Sequence, residues 1–148
     1  MIIPLQLRDF KKLSNIWNMK AKRNQARKWK REMRRGIRQG YVYVEGSAFI
    51  AQGDLVFSGN DPDYTIPGQR VCVSRVIVKP ERRGQGLGTA MVDFLCEEAR
   101  RQGFCEVSIG VNKNNSVALH LYDKLGFDIL LFDGEDEWDA YVKLMKQL

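Results

Sequence analysis

The chain has little of what metal centres, disulfide frameworks and membrane spans are built from. Its three cysteines, Cys72, Cys96 and Cys105, are an odd number and stand singly in apolar runs with no CxxC pair. The one histidine, His120, has no cysteine close by in sequence to complete a zinc set, so no metal site is expected. The cysteines therefore read as buried thiols of a reducing compartment. No run approaches the roughly 20 apolar residues of a spanning helix, and "MIIPLQLRDFKK" at the start lacks a basic leader followed by a long apolar stretch. These absences set the expectation of a soluble, cytoplasmic protein with no membrane partner. A length of 148 residues suffices for one core without staples, which predicts a single domain over 1–148.

Positive charge is also scarce outside one segment. The net charge is +6, yet residues 20–38, "KAKRNQARKWKREMRRGIR", hold ten Lys/Arg against the single Glu32, leaving fourteen basic and seventeen acidic side chains elsewhere. Within that segment Ala26, Trp29, Met33 and Ile37 recur every three or four residues, the spacing of an amphipathic helix that ends near Gly40. The Lys/Arg residues then fill its solvated face. No aromatic residues face outward among them, which argues against a nucleic-acid partner.

What is present is an alternation of strand and helix patterns. "IIPLQL" reads as a strand, and Leu13, Ile16 and Trp17 mark a helical stripe before the basic helix. "YVYVEGSAFIAQGDLVFS" is a hairpin turning at Glu45-Gly46, and "GNDPDYTIPGQ" is an exposed loop. "RVCVSRVIV" is β-branched on both alternating faces, which suits a central strand buried on both sides. A helix follows from Leu87 to near Gly103, then a strand "CEVSIGV", a helix capped at Asn115 or Ser116, and two strands around the acidic stretch 133–139, "DGEDEWD". The order β, α, α, β, β, β, α, β, α, β, β predicts a mixed α/β fold with three layers, containing one right-handed strand, helix, strand crossover.

"RRGQGLGTA", residues 82–90, joins that central strand to the next helix. Glycines there let backbone N–H groups and a helix N-terminus approach an anion, phosphate being the usual guest. Spacing eliminates two readings. A dinucleotide fingerprint begun at Gly84 needs Gly or Ala where Thr89 stands, and begun at Gly86 needs one where Met91 stands. A nucleoside-triphosphate loop needs a lysine that does not follow these glycines.

RxxGxG remains, as Arg83-Gly84-Gln85-Gly86-Leu87-Gly88, and "NNSVALHLYDKLGF" at 114–127 follows after one helix and one strand. Together these resemble the two cofactor-contacting segments of the GNAT superfamily of acyl-CoA-dependent N-acyltransferases. The resemblance covers at least residues 70–130. It implies a mostly antiparallel central sheet flanked by helices, with parallel fourth and fifth strands that splay apart. It also implies acetyl-CoA as acyl donor. The backbone of Arg83, Gly84, Gln85, Gly86, Leu87 and Gly88 would hold the pyrophosphate, with a hydroxyl from Thr89. Val76, Ile77 and Val78 would pair with the pantetheine arm, and Asn115 would touch the cofactor from the next helix. By the same resemblance Tyr122 would be the general acid that protonates the departing thiolate, although it also lies on the core face of its helix. Oxyanion stabilisation would come from N–H groups near Val76 or Ile77.

One departure stands out. "RVCVSRVIV" carries no acidic residue where many relatives place a general base, so the amine would lose its proton through water or a loop carboxylate such as Asp61 or Asp63. Cys72 as a nucleophile and His120 as a base carry little weight. The expected function is N-acetylation of a small-molecule primary amine by direct attack in a ternary complex, the acidic stretch 133–139 leaning it toward a cationic amine. A protein N-terminal or lysine acetyltransferase, and a non-catalytic CoA- or nucleic-acid-binding module, stay open as alternatives.

Overall fold

Alternating apolar residues in the middle of the chain produce strands that pair into one sheet. The computed structural model describes all residues from Met1 to Leu148. Its strands are β1 (Ile2–Pro4), β2 (Arg38–Glu45), β3 (Ala48–Val56), β4 (Arg70–Val78), β5 (Glu106–Asn112), β6 (Ile129–Glu135) and β7 (Ala140–Gln147), in the spatial order β1-β2-β3-β4-β5-β7-β6. Only β4 and β5 run parallel; every other neighbour pair is antiparallel. A parallel pair needs a crossover, and α2 (Leu87–Arg101) supplies it.

The apolar stripe of α2, with Met91, Val92, Leu95 and Ala99 sealed from solvent, packs on β3 and β4. Gly53 of β3 permits this approach: a Cβ there would lie 2.8 Å from Leu95 Cδ1 and 3.3 Å from Met91 Cε. α3 (Ser116–Lys124) adds Tyr122 to the same core, beside Phe127. The opposite face of the sheet is covered by a 3-10 segment, Leu7–Asn15, and by α1 (Arg23–Arg34), around Phe10, Leu13, Trp17, Ala26 and Trp29. No helix is long and apolar enough to cross a membrane.

Three local expectations need correction. The basic helix stops at Arg34 rather than near Gly40, because Gly36 takes a left-handed φ of 74° and Arg38 already starts β2, so Ile37 lies outside the helical stripe. The stripe at Leu13, Ile16 and Trp17 belongs to a 3-10 segment and the turn after it, yet all three side chains are buried. β4 is sealed at Val71 and Val73 but half-exposed from Ser74 onward, because its parallel partner leaves it.

That departure positions the site. β4 and β5 pair only from Arg70↔Glu106 to Cys72↔Ser108, and no ladder joins them beyond. On the other side, Asp54 faces Ser74 while Gln52 faces Ile77, so Gly53 is opposed by two residues, Arg75 and Val76. This is a β-bulge, and Arg75 within it holds the one non-glycine positive φ, 59°. The left-handed conformation costs such a residue about 1–2 kcal/mol. The bulge shifts the alternation by one. Val76 and Val78 join the core that holds Val71 and Val73, while Arg75 and Ile77 turn to the α1 side.

Candidate active site

Two cavities meet where β4 leaves β5. The first, about 660 Å³, runs between the half-exposed end of β4, the loop after it, and α3. Gly84 and Gly86 shape that loop with φ of 75° and 79°, values an L-residue adopts only with strain. Gly86 is the N-cap of α2 and offers no side chain to the helix's first N–H groups, which have no intrahelical acceptor. They remain available to an anion, reinforced by the helix dipole.

Of the residues named from the sequence, Val76, Ile77, Val78, Arg83, Gly84, Gly86, Leu87, Gly88, Thr89, Asn115 and Tyr122 line this groove. Gln85 does not, because its Oε1 accepts from Arg82 Nε at 2.8 Å. Arg82 was missed by sequence reasoning. It lines the groove and grips Glu45 of the β2–β3 hairpin with both Nη atoms, at 2.6 and 2.8 Å, so the loop is tied to the sheet. Asn115 Oδ1 accepts from Ala118 N at 3.1 Å, capping α3.

The second cavity, about 650 Å³, opens on the other side of the splay and is walled by α1, the loop around Ser58–Thr65 and β4. Val76, Ile77 and Tyr122 line both cavities. Tyr122 packs edge-on against Phe127, with ring centres 5.6 Å apart, and its hydroxyl has no hydrogen-bond partner in the protein. Burial pushes its phenol up to about 12, so it holds its proton at neutral pH.

Beneath the second cavity lies a polar chain that the sequence pattern did not reveal. Trp17 Nε1 donates to Gln52 Oε1 at 2.9 Å, Gln52 Nε2 donates to Asp54 Oδ1 at 3.2 Å, and Arg38 Nη1 donates to Asp54 Oδ2 at 2.6 Å. Burial pushes the Asp54 carboxyl up, against the pull of the Arg38 guanidinium. Arg38 also lies 3.5 Å from Glu32 of α1. The nearest signal in the sequence was "QGD" inside an otherwise apolar strand, polar residues that a two-sided core tolerates only when paired.

The remaining candidates are accounted for by their partners. Asp61 and Asp63 bind Lys143 Nζ at 2.6 and 3.2 Å, and this contact holds the Asp61 carboxyl below its usual range, which makes it a poor base. Burial raises the Cys72 thiol to about 11, far from the thiolate a nucleophile requires. His120 is exposed, and nothing from 133–139 lines either cavity. Asp133 there pairs with Lys113, and Asp136 Oδ1 accepts from the Trp138 and Asp139 N–H groups at 2.8 Å.

A glycine loop at a helix start, beside a splayed strand edge and a buried phenol, suits an anionic ligand such as a phosphate. The chain belongs to the acetyltransferase (GNAT) family, whose model matches residues 5–127. It is 41% identical over 104 residues to a mycothiol acetyltransferase from Kocuria rhizophila, covering 62% of this chain and 33% of that protein. It is 32% identical over 94 residues to an L-methionine sulfoximine/L-methionine sulfone acetyltransferase from Pseudomonas aeruginosa, covering 62% of this chain and 54% of that one. The chain thus spans about half or less of the length of these relatives. Its fold matches that of a putative acetyltransferase from Salmonella typhimurium solved with its cofactor acetyl-CoA, with a TM-score of 0.76 at 20% identity, over 100% of this chain and 93% of that one.

Proposed function

We propose that this protein transfers an acetyl group from acetyl-CoA to the primary amine of a small molecule, by direct attack within a ternary complex. The observation that carries the reading is the meeting of two cavities at Val76, Ile77 and Tyr122, which gives donor and acceptor separate approaches to one point. The groove suits a CoA carrier: left-handed glycines and open helix N–H groups for its pyrophosphate, an unpaired strand edge at Val76–Val78 for its amide-bearing arm. The Salmonella relative's acetyl-CoA supports the choice of donor. A cavity of about 650 Å³ is the size of a small-molecule site, which favours this reading over a protein acceptor.

In the reaction so inferred, acetyl-CoA supplies a thioester carbonyl open to attack. An unprotonated amine entering from the second cavity forms a C–N bond at that carbon. N–H groups near Val76 and Ile77 stabilise the negative charge on the carbonyl oxygen. As the C–S bond breaks, its electron pair goes to sulfur and Tyr122 gives sulfur a proton. The amide nitrogen sheds its extra proton to water, which returns the proton to Tyr122. Neither Asp61 nor Asp63 acts as base, since both serve Lys143. Three unpaired thiols fit a reducing compartment, and the reading places the activity in the cytoplasm.

A thiol-release assay with acetyl-CoA across a panel of amines tests this. Release that depends on amine, saturates in both substrates and fits intersecting initial-rate lines is expected. Parallel lines would replace direct attack by an acetylated protein, and no amine-dependent release would end the reading.

A further inference from the structure

The bulge in β4 stores a cation that nothing in the protein satisfies. Arg75 lines the second cavity, and its guanidinium lies 4.0 Å from the Trp29 ring centre and 5.3 Å from that of Trp17. Its Nε and Nη2 are cut off from water and have no hydrogen-bond partner, and no carboxylate lies within ion-pair range. Ring faces attract a cation but accept hydrogen bonds poorly, so the three N–H donors on Nε and Nη2 have been desolvated without acceptors. Strained residues cluster at functional sites, and a buried polar group without a partner calls for an explanation such as an absent ligand.

The other charges around the cavity point the same way. Glu32 is matched by Arg38 at 3.5 Å and Asp61 by Lys143 at 2.6 Å, whereas Lys28 on the α1 wall has no carboxylate of its own. Asp54, below the wall, is already held by Arg38 and Gln52. Both carboxylates that line this cavity therefore have a cation within ion-pair range, though Glu32 Oε1 accepts no hydrogen bond, and the two charges with no counter-charge in that range, Arg75 and Lys28, are both positive. The acidic stretch 133–139 that leaned toward a cationic acceptor lines no part of it.

We infer that the acceptor is an amine carrying its own anionic group, a carboxylate or phosphate-type oxyanion, and that Arg75 receives that group while the amine reaches the splay. Arg75 lines the same cavity as Ile77 and Tyr122, so an anion on its guanidinium shares a cavity with the reacting point. The simplest molecules that carry both an amine and an anion are amino acids and aminophosphonates. A guanidinium donates to either oxyanion, and Nη1, the nitrogen not cut off from water, is the one that meets it first, with the planar face resting on Trp29. This inference rests on the proposed acetyl transfer, and direct binding separates the two.

The test compares L-leucine with leucinamide and 3-methylbutylamine, and 2-aminoethylphosphonate with ethylamine, by thiol release and by calorimetric titration. The anionic member of each pair is expected to show about 10–100-fold higher kcat/KM, mostly through KM, the range of one hydrogen-bonded charge contact. Arg75→Gln should remove that preference while leaving acetyl-CoA binding in place, and Arg75→Lys, which keeps charge without the guanidinium, should retain part of it. A preference for the phosphonate over the amino acid, erased in Arg75→Gln, would assign phosphate-type acceptors. Equal or better turnover of the neutral partners, or an equal loss for both members in Arg75→Gln and Arg75→Lys, would overturn the inference and leave the acetyl transfer standing. Should no amine turn over, titration decides: amino-acid binding that vanishes in Arg75→Gln upholds the anion site without the reaction, and no binding ends both.

Discussion

Replacing Tyr122 with Phe isolates one atom. Its hydroxyl makes no hydrogen bond within the protein, and the ring's edge-on contact with Phe127 at 5.6 Å survives the change, so the fold should lose less than about 0.5 kcal/mol. A general acid is worth roughly 10²–10⁴ in rate, or about 3–5 kcal/mol of barrier. Tyr122→Phe should therefore lower kcat at least ~100-fold with unchanged acetyl-CoA affinity and an unchanged unfolding transition. The pH profile supplies a second reading from the same residue. An acid must be protonated to act, and burial holds this phenol to about 12, so kcat should show no descending alkaline limb near the ordinary tyrosine value of 10. The assay is initial-rate thiol release from pH 7 to 11, for wild type and variant. A variant with wild-type kcat, or a wild-type limb centred near 10, would refute the assignment.

The same burial has consequences for stability. Tyr122 protonated is favoured in the folded state, with its pKa raised from 10 to about 12, so the contribution is complete below pH 10 and is lost as pH rises through about 12. The loss for this residue approaches about 2–3 kcal/mol, and the Tm of wild type should fall more steeply above pH 10 than that of Tyr122→Phe. Gly53→Ala should destabilise by about 1–3 kcal/mol in urea unfolding, since the new Cβ meets the sealed Leu95 side chain at 2.8 Å. Gly86→Ala meets no atom within 4 Å, so its effect comes from the φ of 79° alone, and a raised KM for acetyl-CoA with little change in kcat is expected. Arg38→Met strands the buried Asp54 carboxylate and should cost about 3–5 kcal/mol, a deficit that shrinks as pH falls and Asp54 takes up a proton.

Legibility in the sequence followed the range of each signal. Strand and helix order came from local periodicity, and the glycine loop with the Asn115 cap came from short motifs whose physics is complete within a few residues. Gly36 shows where periodicity misleads: Ile37 keeps the helical spacing, but one left-handed residue redirects the chain into β2. The bulge at Arg75 was hidden for a related reason. "RVCVSRVIV" alternates well enough to read as one regular strand, and the extra residue shows itself only in the pairing with Gly53. Pairs distant in sequence, such as Arg82 with Glu45, Lys143 with Asp61 and Trp17 with Gln52, leave no local trace at all.

The basic segment gains a second character from the fold. Most of its Lys/Arg residues are solvated, as their spacing implied, but α1 turns Lys28 and Glu32, four residues apart, toward the second cavity and buries Trp29 between them. Trp29 then serves as the floor for two guanidinium groups, Arg75 at 4.0 Å and Arg38 at 5.5 Å, of which only Arg38 has carboxylates to answer it. A helix selected only for solubility would have no reason to present an aromatic face to an unpaired cation beside the splayed strand. Trp29→Leu keeps the apolar anchor of the helix while removing the π-face under Arg75, and so distinguishes packing from site construction. The proposed anion site requires that this change weaken amino-acid binding several-fold, in addition to the stability lost with the Trp17–Trp29 core contact, because the cation–π contact contributes about 0.5–2 kcal/mol to holding the guanidinium in place. Loss of stability with unaltered affinity would make Trp29 a core residue alone, and Arg75 would then owe its position to the bulge.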